Sequence, residues 1–157
     1  MKKKTIKIIV GLGLFSLLVG AIIVYRMMNM PHRDVQSAKT DVAISAAALV
    51  HEYLADASMA NNKYLEAEGD SKILAVSGVI ASITEDQNNQ IVILLKDNAE
   101  KAGVSCTFTT ETNANTTDLK VGQTITVKGV IRSGAGFDED LEMYEDVILE
   151  KCDIVKK

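Results

Sequence analysis

Apolar positions crowd the start of the chain and then break into short, evenly spaced runs. Ile8 to Tyr25 is 18 residues without a charge, and as a helix rising about 1.5 Å per residue it spans roughly 27 Å, close to the hydrocarbon thickness of a bilayer. Lys2, Lys3, Lys4 and Lys7 precede the run and Arg26 and Arg33 follow it. That bias puts the N-terminus in the cytoplasm and the remainder across the cytoplasmic (inner) membrane, in the periplasm or outside the cell. A cleaved signal peptide is the competing reading, with Val19, Gly20 and Ala21 as small residues for a peptidase. The apolar run continues through Ile22, Ile23, Val24 and Tyr25, longer than the roughly 7 to 15 residues of a signal core, which favours a retained anchor.

After this anchor (1–30), the only proline marks a short linker (31–40), and the period then becomes helical. Ala46, Val50, Tyr53, Ala57, Ala60 and Tyr64 recur at alternating spacings of four and three, the stripe of one amphipathic helix assigned to 41–68. Thr40 or Asp41 is its candidate cap. Gly69 and Asp70 end it.

From 69 to 157 the pattern is strand-like. Five apolar runs, Ile73 to Ile83, Ile91 to Leu95, Val104 to Thr109, Thr124 to Arg132 and Val147 to Val155, are separated by turn-rich polar segments. The third alternates, with Val104, Cys106 and Phe108 on one face and Ser105, Thr107 and Thr109 on the other, as a half-buried strand does. Val76-Ser77-Gly78-Val79-Ile80 in the first run is echoed by Val127-Lys128-Gly129-Val130-Ile131 in the fourth. A mid-strand glycine fits a strand that must bend, which points to a small closed barrel rather than a flat sheet.

Charge narrows the partners. All 21 Asp and Glu lie from Asp34 onward, with 11 of the 17 Lys and Arg, so this part carries a net −10. Such a domain repels a phosphate backbone and gains nothing from counterion release, making nucleic acid an unfavoured partner.

Several short segments together resemble one family: Ala60-Asn61-Asn62-Lys63-Tyr64, Val76-Ser77-Gly78-Val79, Val104-Ser105-Cys106-Thr107-Phe108, Leu119-Lys120-Val121-Gly122-Gln123 with Val127-Lys128-Gly129, and Cys152-Asp153-Ile154. From about Ala46 onward the chain is similar to the tRNA-anticodon-binding-like OB-fold proteins that bacteria export or anchor in membranes. The resemblance implies a mainly β protein, a five-stranded Greek-key barrel in which the first strand pairs with the fourth and the third runs beside the fifth. It implies little about activity, since a fold does not determine a function.

That topology makes Cys106 and Cys152 neighbours and a candidate disulfide, with two buried thiols as the alternative. Val147 and Leu149 share one strand phase while Cys152 and Ile154 share the other. Both pairs face inward only if a bulge lies near Glu150 and Lys151. His51-Glu52 opens like a zinc-protease helix, but Ala55 stands where the second histidine belongs. Asp138, Glu139, Asp140, Glu142, Glu145 and Asp146 could offer oxygens to calcium but lack EF-hand spacing, and read as a solvated acidic loop. No metal or cofactor is expected.

OB folds hold ligands across their second and third strands, between the loops joining strands 1 to 2 and 4 to 5. The candidate binding residues in and beside those loops are Glu85, Asp86, Arg132, Phe137, Asp138 and Asp140. With one aromatic among them and no Trp in the chain, the expectation is a non-catalytic binding or adaptor module for a protein partner in the cell envelope, joined to the membrane through residues 8–25. An OB domain for an oligosaccharide or a single-stranded nucleic acid is the alternative.

Overall fold

A computed structural model of the chain describes residues 16, 19–25, 34–66 and 71–155. The chain divides into two units, 1–33 and 34–157. In the first, residues 19–25 are helical and expose Val19, Ile22, Ile23 and Val24. Among the described residues no helix is long and apolar enough to cross a membrane; most of the anchor expected over Ile8 to Tyr25 lies outside them.

The second unit is a closed barrel with helices at one end. Its elements are β1 (Val42–Ser45), α1 (Ala46–Ala55), α2 (Ala57–Tyr64), β2 (Ile73–Glu85), β3 (Ile91–Leu95), β4 (Val104–Phe108), a 3-10 turn (Asn113–Thr116), β5 (Thr124–Ser133), β6 (Gly136–Asp138), β7 (Met143–Glu145) and β8 (Val147–Ile154). β2, β3, β4, β8 and β5 pair in that order, and β2 pairs with β5 to close the ring. Only β4 and β8 run parallel within it. This is the five-stranded order expected.

Closure depends on β2, whose first half pairs with β5 (Ile73–Val79) and whose second half pairs with β3 across a bulge between Ile80 and Ser82. Gly78 lies just before this change of partner. A Cβ there would meet the Cβ atoms of Ala46 and Leu95, each at 3.1 Å, so the missing side chain lets α1 and β3 approach the strand closely. Leu74, Val76, Ile93, Leu95, Val104, Cys106, Phe108, Val127 and Leu149 fill the interior with no exposed surface. Each large aliphatic group removed from water stabilises the fold by roughly 1.5–3 kcal/mol.

The bulge expected near Glu150 and Lys151 is present. Pairing between β4 and β8 jumps from Cys106 opposite Leu149 to Phe108 opposite Cys152, and Lys151 takes a left-handed φ of 52°. The extra residue lets Val147, Leu149 and Cys152 all point inward, fully buried.

The single helix expected over 41–68 is not what forms. Residues 42–45 are a strand running parallel to β2, with Val42 opposite Leu74 and Ser45 opposite Ser77. The cap is Ser45, whose hydroxyl accepts the Ala48 N–H at 3.2 Å, rather than Thr40 or Asp41. Asp56 then breaks the helix in two. Its extended backbone (φ −156°, ψ 93°) ends α1, and its carboxylate accepts the Met59 N–H at 2.9 Å to start α2. Ala57 becomes exposed, while Leu49, Val50, Tyr53, Ala60 and Tyr64 are buried.

Part of the segment read as a linker is docked. Val35 is buried against Ile73 and Val130, with Ala38 beside it, in a small apolar cluster outside the barrel. Asp34 caps this turn through the N–H groups of Gln36 and Ser37, both at 3.1 Å. The Gln36 amide donates to the Lys151 carbonyl at 3.1 Å, the group that the bulge turns outward.

Candidate functional site

The strand directions place the two candidate loops at opposite ends of the barrel. Residues 86–90 turn β2 into β3 at the end where β2 finishes, and the 3-10 turn covers that end: the Asn113 side chain accepts the Ile91 N–H at 2.9 Å and donates to the Asn89 carbonyl at 2.7 Å. At the other end, α1 meets the 134–146 segment. That segment is not a plain loop, since β6 and β7 form a hairpin with Phe137 opposite Tyr144 and Asp138 opposite Met143.

Between these ends lies the outer face of β3 and β4. In register across it run Ser82, Leu94, Ser105 and Ile148, with Thr84, Val92 and Thr107 as the next row. Neither row contains a ring or a charge. A single-strand binder would place stacking aromatics and cations there.

Most of the candidate residues are committed to local structure. Asp86 accepts the N–H groups of Asn88 (2.8 Å) and Gln90 (2.9 Å), holding its own turn, and Glu85 accepts the Asn89 amide at 2.6 Å. Asp138 does the same at the hairpin tip, accepting from the N–H groups of Asp140 (2.8 Å) and Leu141 (3.0 Å). Arg132 donates to Glu150 at 2.7 Å. Lys128, the other cation on β5, donates to the carbonyls of Gln36 and Ala38. Phe137 and Asp140 remain exposed, so the structure gathers Phe137, Asp138 and Asp140 on one hairpin and leaves Glu85 and Asp86 at the far end.

Neighbouring residues not singled out from the sequence complete this corner. The Phe137 ring packs on Tyr144 with centroids 4.9 Å apart. Lys101 donates to the Tyr144 hydroxyl at 3.2 Å and lies 5.2 Å from the ring centroid. Leu141 (66% exposed) and Met143 (54%) stand out from the hairpin. Apolar residues inside an acidic loop were the available signal.

Cys106 and Cys152 are fully buried free thiols. Burial first, and the Cys106 thiol beside it second, push the Cys152 thiol well above its ordinary range. His51 is on the surface, 2.8 Å from Glu100. Among the described residues no group of His, Cys, Asp or Glu is arranged to hold a metal; Asp146 of the acidic stretch instead accepts the Gly103 N–H at 2.6 Å.

The family described as tRNA_anti-like matches residues 1–141. Among solved structures, a Klebsiella pneumoniae lipoprotein, named for an inferred nucleic acid-binding role, is similar in fold. It is 19% identical, with 81% of this chain and 100% of that one covered and a TM-score of 0.53. No curated protein matches the chain.

Proposed function

The chain belongs to the tRNA_anti-like family, and from that footing we propose that it is a non-catalytic binding or adaptor module whose ligand is a protein of the cell envelope. In this reading residues 8–25 hold it at the membrane and the barrel stands on the extracytoplasmic side. The charge-free run with four lysines before it supports the anchor.

The observation that carries the protein-partner reading is the outer face of β3 and β4. Ser82, Leu94, Ser105 and Ile148 form a neutral, partly aliphatic row, where nucleic acid would need rings and cations. The two cations on β5 do not supply the need, because Arg132 faces Glu150 and Lys128 is taken up by backbone carbonyls. A net charge of −10 after Arg33 adds a long-range penalty for any polyanion.

A second reading, binding of a single-stranded nucleic acid or an oligosaccharide, draws on the usual ligands of OB folds, and for nucleic acid also on the name of the Klebsiella neighbour. Titration of the full chain in detergent with labelled single-stranded DNA and RNA separates the two. No appreciable binding is expected at physiological salt; micromolar binding that weakens steeply as salt rises would replace the protein-partner reading. Protease shaving of spheroplasts tests the topology, and a C-terminal tag protected until lysis would contradict it.

A further inference from the structure

We propose that the corner where α1 meets the β6–β7 hairpin is a docking site for a basic, amphipathic segment of a partner protein. An apolar residue of that segment enters the pocket beside Tyr53, and its lysines or arginines meet the carboxylates of the hairpin. This rests on the protein-partner reading above and gives that partner a surface and a chemistry.

Three independent features converge there. A pocket of about 400 Å³ opens between the two elements, walled by Tyr53, Leu54, Phe137, Tyr144 and Lys101. Its apolar walls reach solvent, since Leu54 is 37% and Phe137 51% exposed, and Leu141 extends the apolar surface at the hairpin tip. Exposed apolar groups ringed by polar ones mark interaction sites.

The second feature is a hydroxyl. Tyr53 is 2% exposed, and among the described residues its OH is the one buried side-chain polar atom with no hydrogen-bond partner. Leaving such a group unsatisfied costs free energy that an incoming acceptor recovers. Burial, and then the nearby Tyr64 and Glu52, push its pKa up to about 12, so at neutral pH it is a donor. Solvent does not reach this oxygen, so a main-chain carbonyl of the entering segment becomes its acceptor only as the pocket wall yields.

Charge selects among occupants. Asp138, Glu139, Asp140, Glu142 and Glu145 lie on the hairpin, while the cation in the pocket, Lys101, is engaged by Tyr144. This field repels anionic lipid and nucleic acid, and a second copy would bring the same carboxylates together. It attracts a cationic segment.

The test places a photo-crosslinking phenylalanine analogue at Phe137 in the full-length protein in cells, with Val121, 63% exposed on the loop before β5, as the control position. The expected result is a discrete protein adduct at position 137, mapped by mass spectrometry to an apolar residue flanked by Lys or Arg. That adduct should fall about tenfold in the Glu139→Lys/Asp140→Lys variant. Tyr53→Phe should weaken capture several-fold without lowering the melting temperature, because it removes an unpartnered group; a purely structural Tyr53 would leave capture unchanged and overturn entry into the pocket. Adducts at 137 only to lipid, nucleic acid, a second copy or a segment without basic residues would overturn the proposal. A protein adduct from 121 with none from 137 would overturn it while leaving the protein-partner reading in place. No protein adduct from either position would remove both.

Discussion

Asp41 grips Ile73 through both of that residue's backbone polar groups. Its N–H donates to the Ile73 carbonyl at 2.8 Å, and its carboxylate accepts the Ile73 N–H at 2.8 Å. Ile73 is fully buried at the start of β2, so this clamp satisfies groups that water cannot reach and sets the register in which β1 lies against the barrel. Asp41→Ala should cost about 1–3 kcal/mol, the range for stranding a buried donor. Asp41→Asn, which keeps an acceptor oxygen, should cost less. Chemical denaturation of the two variants orders them; equal losses would mean that the side-chain bond contributes nothing.

Gly129 is held by space rather than by backbone angle. A Cβ added there would fall 2.7 Å from the Cys152 Sγ and 3.1 Å from the Glu150 carbonyl. Gly129→Ala should destabilise by about 1–3 kcal/mol as the core is forced apart. Adding Cys152→Ala removes the nearest atom and should restore part of that loss. A double variant whose destabilisation is the plain sum of the two singles would show that the residues are not in contact.

The same packing governs thiol chemistry. Cys106 and Cys152 are both fully buried, and the Cys152 thiol is displaced upward by burial first and by Cys106 second. Iodoacetamide should therefore label neither in the native protein at mildly alkaline pH, and should label both under denaturing, non-reducing conditions if they are free as they stand here. Rapid native labelling of Cys152 would mean that the bulge at Lys151 does not form.

Much of the barrel is readable from the pattern because its strands obey a period of two and end at turn-rich segments. The inward set of Val104, Cys106 and Phe108 follows from alternation, and the bulge follows from the phase conflict between Leu149 and Cys152. The helical region misleads for a physical reason. Ala60 and Tyr64 face the same core as Val50 and Tyr53, so the stripe continues through a break that one capping residue, Asp56, produces. β1 is hidden because four residues are too few to show a period, and its formation depends on Asp41 meeting Ile73, a contact distant in sequence. The pocket was illegible because it joins α1 to a hairpin formed inside an apparent loop.

Glu52 gives the helical end a pH dependence. Hydrogen bonds first from Lys63 (2.8 Å) and then from Tyr64 (2.8 Å) hold its pKa below the ordinary 4.5. A carboxyl depressed on folding stabilises above its unfolded pKa, and the contribution disappears as pH falls through the lower folded value. Wild type should therefore lose stability below about pH 4.5 more steeply than Glu52→Gln. Glu52 and Lys63 are both substantially exposed, so the difference should be small and should shrink further with salt. Parallel acid limbs for the two proteins in thermal melts would contradict this.

The ring closure of β2 on β5 also has a consequence in time. Ile73–Glu85 and Ile91–Leu95 are rich in β-branched residues and nearly free of charge, the composition that favours stacking between copies. In the finished barrel Ile73 to Val79 lie against Val130 to Thr124, strands that emerge much later during synthesis. Until then β2 has an open edge, and pairing over such a separation is slow. The brief interval between emergence of β3 and arrival of β5 is thus the stage at which a nascent chain is most exposed to aggregation, and any change that delays closure, at Gly129 above all, should act first on yield.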